Sequence, residues 1–312
     1  MKILLTGASS FTGFWFAKEL SINGYEVFAS FTKPKIEDYE GIRRQRISLL
    51  LDKITTIWEC KFGDPKFLDI IKDGIDVLCH HGSDVTNYKS NSFNIDTALG
   101  NNTNNIIEVF ETLNKNNCNT IVHTGSVFEN NEGSGTLPLR AFSPYGLSKS
   151  FTYETLKYFS EIYNVKLGKF VIPNPFGPYE EFRFTSFLIQ NWFKGNIPEI
   201  KTPSYIRDNI HVDLLAKSYA DFVNKVLQGA DKIKKINPGL YAETQGEFTK
   251  RFAAEMEKRL NIPCKFELMQ QTDFSEPLER VNTKNISQQY NWEENKSWDN
   301  LAEYYLEHLI KK

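Results

Sequence analysis

Short apolar runs alternate with longer amphipathic ones through the first half of the chain. Segments 2–5, 26–31, 57–61, 77–80, 120–123 and 166–172 are apolar runs of strand length. Between them, segments 14–20, 70–72, 104–113 and 145–163 repeat their apolar positions with a period of about 3.6 and read as helices. Strands and helices in alternation build a parallel sheet covered on both faces, so the pattern predicts an α/β chain with a doubly wound sheet. After Pro173 the pattern changes. Pro173, Pro175, Pro178, Pro198 and Pro203 interrupt it, and aromatic residues crowd positions 176–193. A second, smaller lobe is expected there.

Immediately after the first strand stands Thr6-Gly7-Ala8-Ser9-Ser10-Phe11-Thr12-Gly13, followed by a helix-compatible run. Glycine at 7 permits a tight strand-to-helix turn, and glycine at 13 lets the helix approach the sheet. The backbone N–H groups at the helix start then suit a pyrophosphate. Gly7, Ser9, Ser10, Phe11, Thr12 and Gly13 form the pattern of a dinucleotide cradle, although a plain structural turn would leave the same two glycines. The expected organisation is therefore a Rossmann-type dinucleotide-binding domain over 1–173. Residues 174–312 form mainly a smaller C-terminal substrate-binding lobe, some of whose segments return to the first domain.

The second strand bears on which dinucleotide fits. An Asp or Glu usually ends it and holds the ribose hydroxyls. Phe31 stands there instead. Ser30, Thr32, Lys33 and Lys35 follow the same edge, and Arg43 and Arg44 fall in the expected next loop, so a 2'-phosphate would meet donors and positive charge. NADP is favoured over NAD on this ground, while Arg43 and Arg44 also read as a solvated basic loop. Asp64, after the third strand, either accepts from an adenine amino group or belongs to a plain Gly63-Asp64-Pro65 turn.

Ser143-Pro144-Tyr145-Gly146-Leu147-Ser148-Lys149 opens an amphipathic run. Four apart on a helix, Tyr145 and Lys149 share one face, where an ammonium lowers the phenol from its usual pKa of about 10 and makes it a usable acid or base. Upstream, the run from Thr120 to Phe128 ends in small hydroxylated residues, and the Thr124 hydroxyl is placed to bond the same substrate oxygen as Tyr145. Tyr-x-x-x-Lys alone is equally an exposed helix pair. Its combination with the glycine loop and the hydroxylated strand end is much harder to obtain by chance.

Composition narrows the function further. The 37 Lys+Arg nearly cancel 39 Asp+Glu, for a formal charge of −2, so no global field favours nucleic acid or an anionic membrane. With 40% hydrophobic residues in 312, a sizeable core can be buried. Cys60, Cys79, Cys118 and Cys264 lack metal or redox spacing and read as reduced thiols. No run approaches about 18 apolar residues, and a cytoplasmic placement is expected. His80 and His81 are adjacent on a strand, point to opposite faces and cannot readily share a metal; packing or pocket roles are expected, and no metal site.

With these motifs in this order the chain resembles the extended short-chain dehydrogenase/reductase family, particularly its NAD(P)-dependent nucleotide-sugar epimerases, dehydratases and reductases. The resemblance runs from Ile3 to about Tyr305. It rests on Thr6-Gly7 through Gly13, Asp76-Val77-Leu78-Cys79-His80, Thr124 to Phe128, Tyr145 with Lys149, Pro173-Asn174-Pro175-Phe176-Gly177-Pro178, and Arg207-Asp208-Asn209-Ile210-His211-Val212-Asp213. It implies Tyr145 as acid/base, Lys149 as the lysine that binds the nicotinamide ribose and lowers the tyrosine pKa, and Thr124 as an orienting hydroxyl. Asn174 matches a substrate-contacting asparagine, Arg207 a diphosphate-binding arginine, and Arg280 resembles a second such arginine or is a surface salt bridge. His80 is placed with the cofactor contacts and Ser126 with the substrate contacts. Asp84, Thr86 and Tyr88 either line the sugar pocket or form an ordinary polar loop. A homodimer through the helices at 104–113 and 145–163 is also implied.

Three departures matter. Ser10 replaces the usual central glycine of the loop, the usual Asn-Val-x-Gly-Thr helix start is degraded around 99–103, and Gly125 and Ser126 stand where the 4,6-dehydratases carry an acid after the threonine. A dehydratase is therefore disfavoured. The expected activity is keto-sugar reduction or sugar epimerisation on a nucleotide sugar. The alternative is a dinucleotide-binding sensor or scaffold without turnover.

Overall fold

The computed structural model describes residues 1–88 and 90–309. The chain runs β1 (Lys2–Thr6), α1 (Phe11–Ile22), β2 (Glu26–Ser30), α2 (Gly41–Ser48), β3 (Thr55–Ile57), α3 (Pro65–Lys72), β4 (Val77–His80), α4 (Ile95–Asn102), α5 (Ile106–Lys115), β5 (Thr120–Ser126), β6 (Ser134–Gly135), α6 (Pro144–Ile162) and β7 (Lys166–Ile172). It continues as β8 (Asn174–Phe176), α7 (Phe184–Phe193), β9 (Glu199–Ile200), β10 (Ile206–His211), α8 (Val212–Gln228), β11 (Ile233–Ile236), β12 (Pro238–Gly239) and β13 (Tyr241–Thr244). It ends with α9 (Gln245–Leu260), β14 (Glu267–Leu268), β15 (Glu279–Val281), β16 (Lys284–Asn285) and α10 (Glu294–Leu309). Two compact units result. The first comprises Met1–Glu132, Leu139–Ile172 and Ala216–Asn237; the second comprises Gly133–Pro138, Pro173–Leu215 and the chain from Pro238 onward.

In the first unit seven parallel strands lie in the order β11-β7-β5-β4-β1-β2-β3. From β1 the sheet grows outward in both directions, which puts a topological switch point between β1 and β4, where the carboxyl ends of the strands leave a crevice. This is the Rossmann-type doubly wound sheet that the alternation of runs predicts. One face buries Leu4, Leu78, Ile121 and Leu167 against Phe67, Phe110, Leu113 and Leu156. The other is aromatic: Phe16 of α1 stacks on Tyr219 at 3.9 Å, and Phe170 of β7 meets Tyr219 edge-on. Full burial of each such side chain stabilises the fold by about 1.5–3 kcal/mol; Cys60, Cys79 and Cys118 join this interior as free, buried thiols, and Cys264 is a free, buried thiol of the second unit.

Several elements differ from the pattern, each for a local reason. The third strand is β3 at Thr55–Ile57 rather than 57–61, because Glu59 takes a left-handed φ of 49° and ends the extended run. Helix α3 starts at Pro65, which fits a first helical position where no N–H is needed. Asn105, at φ 48°, delays α5 to Ile106. Arg43 and Arg44 lie in helix α2 and not in a loop; α2 buries only Arg46 and Ile47, too few positions to show a period. Helix α4 buries only Ala98 and Asn102 and was hidden for the same reason. The seventh strand, β11, is an edge strand whose Lys234 and Lys235 mask its character.

The second unit holds a smaller sheet in the order β13-β10-β15-β6, with β8 also paired to β10. Its core is aromatic: Phe176 and Trp298 each lie 4.3 Å from His211 between ring centroids. Burial drives the His211 pKa down to about 4, so this histidine packs as a neutral ring at physiological pH.

Candidate active site

The turn from β1 into α1 is closed by steric necessity. Gly7 has φ +79°, and a Cβ there would lie 2.7 Å from the Gly82 Cα; a Cβ at Gly13 would lie 2.1 Å from the Gly7 carbonyl oxygen. Ser10 needs no glycine-like freedom. At φ −75° and ψ 166° it is the N-cap of α1, and its Oγ accepts from the Gly13 N–H at 3.1 Å. The serine thus supplies a cap where the resembled family has its central glycine. The first turn of α1 contains no acidic residue, so nothing there repels an anion drawn to the helix N-terminus.

Two side chains that sequence reasoning passed over brace this loop. His81 Nε2 lies 3.1 Å from Ser10 Oγ and 3.2 Å from Thr12 Oγ1, and burial pushes its pKa down to about 3. Arg46, fully buried, donates from Nη1 to the Ser9 carbonyl at 3.0 Å and lies 5.8 Å from the centre of the Phe11 ring. In the sequence His81 reads as half of a histidine pair with a packing or pocket role but no stated partner, and Arg46 is masked by Arg43 and Arg44 beside it.

At the end of β2, Phe31 is 1% exposed and stacks on Trp58 at 4.8 Å. Thr32 is exposed. Lys33 is also exposed; its ammonium donates to the Asp38 carbonyl and lies over the Tyr39 ring at 5.2 Å. The Asp64 carboxylate accepts from the Lys61 N–H at 3.2 Å and from Asn104 Nδ2 at 3.3 Å, so it fastens the turn before α3.

Around the ends of β4 and β5, the two neighbouring histidines take opposite faces. His80 lies 3.3 Å from Thr6 Oγ1 through Nδ1 and 2.9 Å from the Asn102 carbonyl through Nε2, so both ring nitrogens are engaged within the protein. Asn102 is a node that the degraded helix start concealed: its side chain accepts from the Asp84 N–H and donates to Ser83 Oγ and Thr152 Oγ1, each at 3.2 Å. The Asp84 carboxylate accepts from the Thr86 N–H at 2.9 Å and from Asn101 Nδ2 at 3.2 Å.

Helix α6 begins with Ser143 as N-cap and Pro144 in its first turn, the arrangement its sequence calls for. The Tyr145 ring is packed edge-on against Tyr88 at 5.6 Å and Phe93 at 5.9 Å. One helical turn on, Lys149 is 3% exposed and donates from Nζ to the Thr124 carbonyl at 2.5 Å. Burial pulls its pKa down to about 8, opposed by the attraction of Glu129. Thr124 is buried in β5, and its Oγ1 has no hydrogen-bond partner among the described residues. Ser126 Oγ accepts from the Phe128 N–H at 3.2 Å. Thr124, Ser126, Tyr145 and Lys149 therefore belong to one corner of the first unit.

Other candidates lie in the second unit. Asn174 is the register partner of Asn209, and Arg207 of Arg280, on neighbouring parallel strands. The Arg207 guanidinium pairs with Glu276 at 2.8 Å and donates to the Ile206 carbonyl at 2.9 Å. Arg280 is fully buried, which removes the surface salt bridge as an account of it. Among the described residues no cluster of His, Cys, Asp or Glu suits a metal ion, and no helix is long and apolar enough to cross a membrane.

A glycine turn at the first strand, a sheet with its switch point beside that turn, and a Tyr-x-x-x-Lys helix start with its lysine buried define a dinucleotide-dependent fold. The model of the NAD dependent epimerase/dehydratase family matches residues 3–236, and the chain belongs to that family. Among solved structures, UDP-glucose 4-epimerase from Thermotoga maritima aligns at TM-score 0.74 and 16% identity, over 99% of this chain and 100% of that one. UDP-glucuronic acid 4-epimerase from Bacillus cereus aligns at 0.75 and 17%, over 99% and 100%. The dTDP-glucose 4,6-dehydratase DesIV from Streptomyces venezuelae aligns at 0.74 and 15%, over 98% and 97%. At such identities these likenesses establish a shared fold. No curated protein matches the sequence.

Proposed function

We propose that the protein is an NAD(P)-dependent oxidoreductase acting on a nucleotide-activated sugar, as a keto-sugar reductase or a sugar epimerase. The observation that carries this reading is Lys149: a buried ammonium, held by the Thr124 carbonyl, one helical turn from Tyr145. With its pKa near 8 it remains mainly charged at neutral pH, and a cation there favours the phenolate form of Tyr145. Tyr145 then takes the proton of a sugar hydroxyl, or returns it to a ketone, while Thr124 orients the same oxygen.

The residues present fit a dinucleotide. Gly7, Ser9, Ser10, Phe11, Thr12 and Gly13 would hold its diphosphate at a helix N-terminus free of acidic side chains. Asp64 and His80 would flank the adenine side and the strand ends, and Tyr145 and Lys149 the nicotinamide ribose. Thr32 and Lys33 beside the non-acidic Phe31 favour NADP over NAD. When bound, the nicotinamide supplies the hydride acceptor or donor. For the substrate, Asp84, Ser126 and Asn174 would meet the sugar, and Arg207 and Arg280 the diphosphate. The Thermotoga enzyme was solved with UDP-glucose and the Bacillus enzyme with UDP-glucuronic acid and NAD, which supports this substrate class.

A 4,6-dehydratase is disfavoured because position 125 carries no acid, and a Cβ built there would lie 2.8 Å from Lys169 Cε and 2.9 Å from Glu129 Oε1. A homodimer in a cytoplasmic setting completes the reading. Ile107 on α5 and Phe151, Tyr158 and Ile162 on α6 are large apolar side chains left exposed, as a helix-to-helix contact between copies requires. A monomer mass by light scattering at micromolar concentration would remove the dimer from the account.

The function is tested by mass spectrometry of the purified protein for retained dinucleotide, beside NADPH consumption with candidate 4-keto sugars. Retained NAD without net consumption assigns epimerisation, and stoichiometric NADPH loss assigns reduction. Absence of both dinucleotide binding and turnover overturns the reading.

A further inference from the structure

Beneath the end of β5 lies a buried ionic cluster with no place in the chemistry above. Lys169 of β7 is 2% exposed, and its Nζ lies 2.6 Å from Glu129 Oε2 and 2.8 Å from Glu132 Oε1. The same ammonium sits 3.8 Å above the Tyr153 ring of α6. Glu132 is further bonded by Lys235 at 3.2 Å and Asn237 Nδ2 at 3.0 Å. Glu129 is 0% exposed, and its Oε1 accepts from the Ser126 N–H at 2.6 Å. Two opposite charges thus grip the peptide groups on either side of Gly125: Lys149 bonds the Thr124 carbonyl, and Glu129 bonds the Ser126 N–H. A side chain at 125 would have to displace one of these groups, because its Cβ would lie 2.9 Å from Glu129 Oε1 and 2.8 Å from Lys169 Cε.

We propose that Glu129 is a positioning residue, which fixes the backbone at Gly125–Ser126 and supplies the facing negative charge that keeps the ammonium of Lys149 in its buried place. This rests on the reading of Lys149 as the partner of Tyr145.

The other groups around Lys149 strengthen the assignment. His80 at the end of β4, His81 just after it and His123 on β5 all have pKa values driven down by burial, to about 4, to about 3 and well below 6.5, so they are neutral at physiological pH. Tyr145 shares helix α6, and Lys169 opposes Lys149 as a like charge. Glu129 is the carboxylate that balances them. Burial of a lysine without a partner drives off its proton, so this single group decides whether the site keeps a cation at working pH.

The test is a titration of the Lys149 side chain by NMR of lysine-labelled protein without substrate or dinucleotide, with the signal assigned by its loss in K149M. In the wild type the midpoint is near 8. In Glu129→Gln, which keeps an amide oxygen for the Ser126 N–H, it falls by about one pH unit or more. Glu132→Gln removes an equally buried partner of Lys169 and moves Lys149 distinctly less. The reciprocal holds by linkage: in K149M the Glu129 carboxyl titrates at higher pH by the same amount that Lys149 loses in E129Q. This arm decides the matter even where E129Q does not fold. An unmoved Lys149 in E129Q, equal movement in E129Q and E132Q, or an unmoved Glu129 in K149M overturns the proposal. Because no turnover enters these titrations, absence of sugar chemistry would sink the functional reading and leave this result standing.

Discussion

Replacing Tyr145 by Phe lowers kcat on a nucleotide sugar by about 10²–10⁴-fold, the range over which a positioned proton donor or acceptor contributes. The ring contacts with Tyr88 and Phe93 are edge-on and need no hydroxyl, so the variant keeps its packing. Dinucleotide binding should persist, since the glycine turn, the Ser10 cap and the buried Lys149 are untouched. The loss therefore falls on kcat, with little change in KM, because the missing group acts as proton charge moves in the transition state. Steady-state kinetics of wild type and Y145F, beside dinucleotide titrations of both, measure this. Equal turnover by the two would return the protein to the sensor or scaffold reading.

Lys169→Met destabilises the fold by about 3–5 kcal/mol, the cost of leaving a buried ion pair without one of its partners. Here two carboxylates lose a cation held within 2.8 Å, and Lys235, 44% exposed in its side chain, remains for Glu132 alone. Burial already raises the pKa of Glu129, so without the Lys169 charge it takes up a proton as the variant adjusts. Methionine preserves most of the stem that packs against the Gly125 backbone and the Tyr153 ring, so the loss reports charge rather than volume. Urea unfolding at neutral pH gives the number. A change below about 1 kcal/mol would mean that the cluster is solvated in solution, as surface pairs are. Adding Glu129→Gln to the same chain should recover part of the loss, because one uncompensated carboxylate is then gone.

Much of this architecture was legible from pattern alone. Strands β1 and β4 are apolar over most of their length, as strands covered on both faces must be, and α5 and α6 carry a clear period. What stayed hidden shares a physical cause: elements that bury little. Helices α2 and α4 each bury two residues, and the edge strand β11 sets Lys234 and Lys235 between Ile233 and Ile236 and buries none of the four, so burial left no trace in the order of residues. Tyr145, Lys149, Thr124 and the glycine turn announce themselves because their spacing is local. Glu129 and Lys169 are 40 residues apart, and only the register of β5 beside β7 brings the two under Gly125. Gly125 looked like a missing acid in the sequence; in the fold its emptiness is occupied by a neighbour's carboxylate. The bracing roles of His81, Asn102 and Arg46 stay hidden because each is made through contacts 18 to 71 residues away.

The most direct measurement is a crystal structure of the protein with a nicotinamide dinucleotide and a nucleoside diphosphate sugar. The account predicts the diphosphate of the dinucleotide on the amides that open α1, the Lys149 ammonium on the nicotinamide ribose, and the Tyr145 hydroxyl within hydrogen-bond reach of a sugar oxygen whose carbon faces the nicotinamide. A dinucleotide seated on the glycine turn with the Tyr145 hydroxyl away from both nicotinamide and sugar would contradict it.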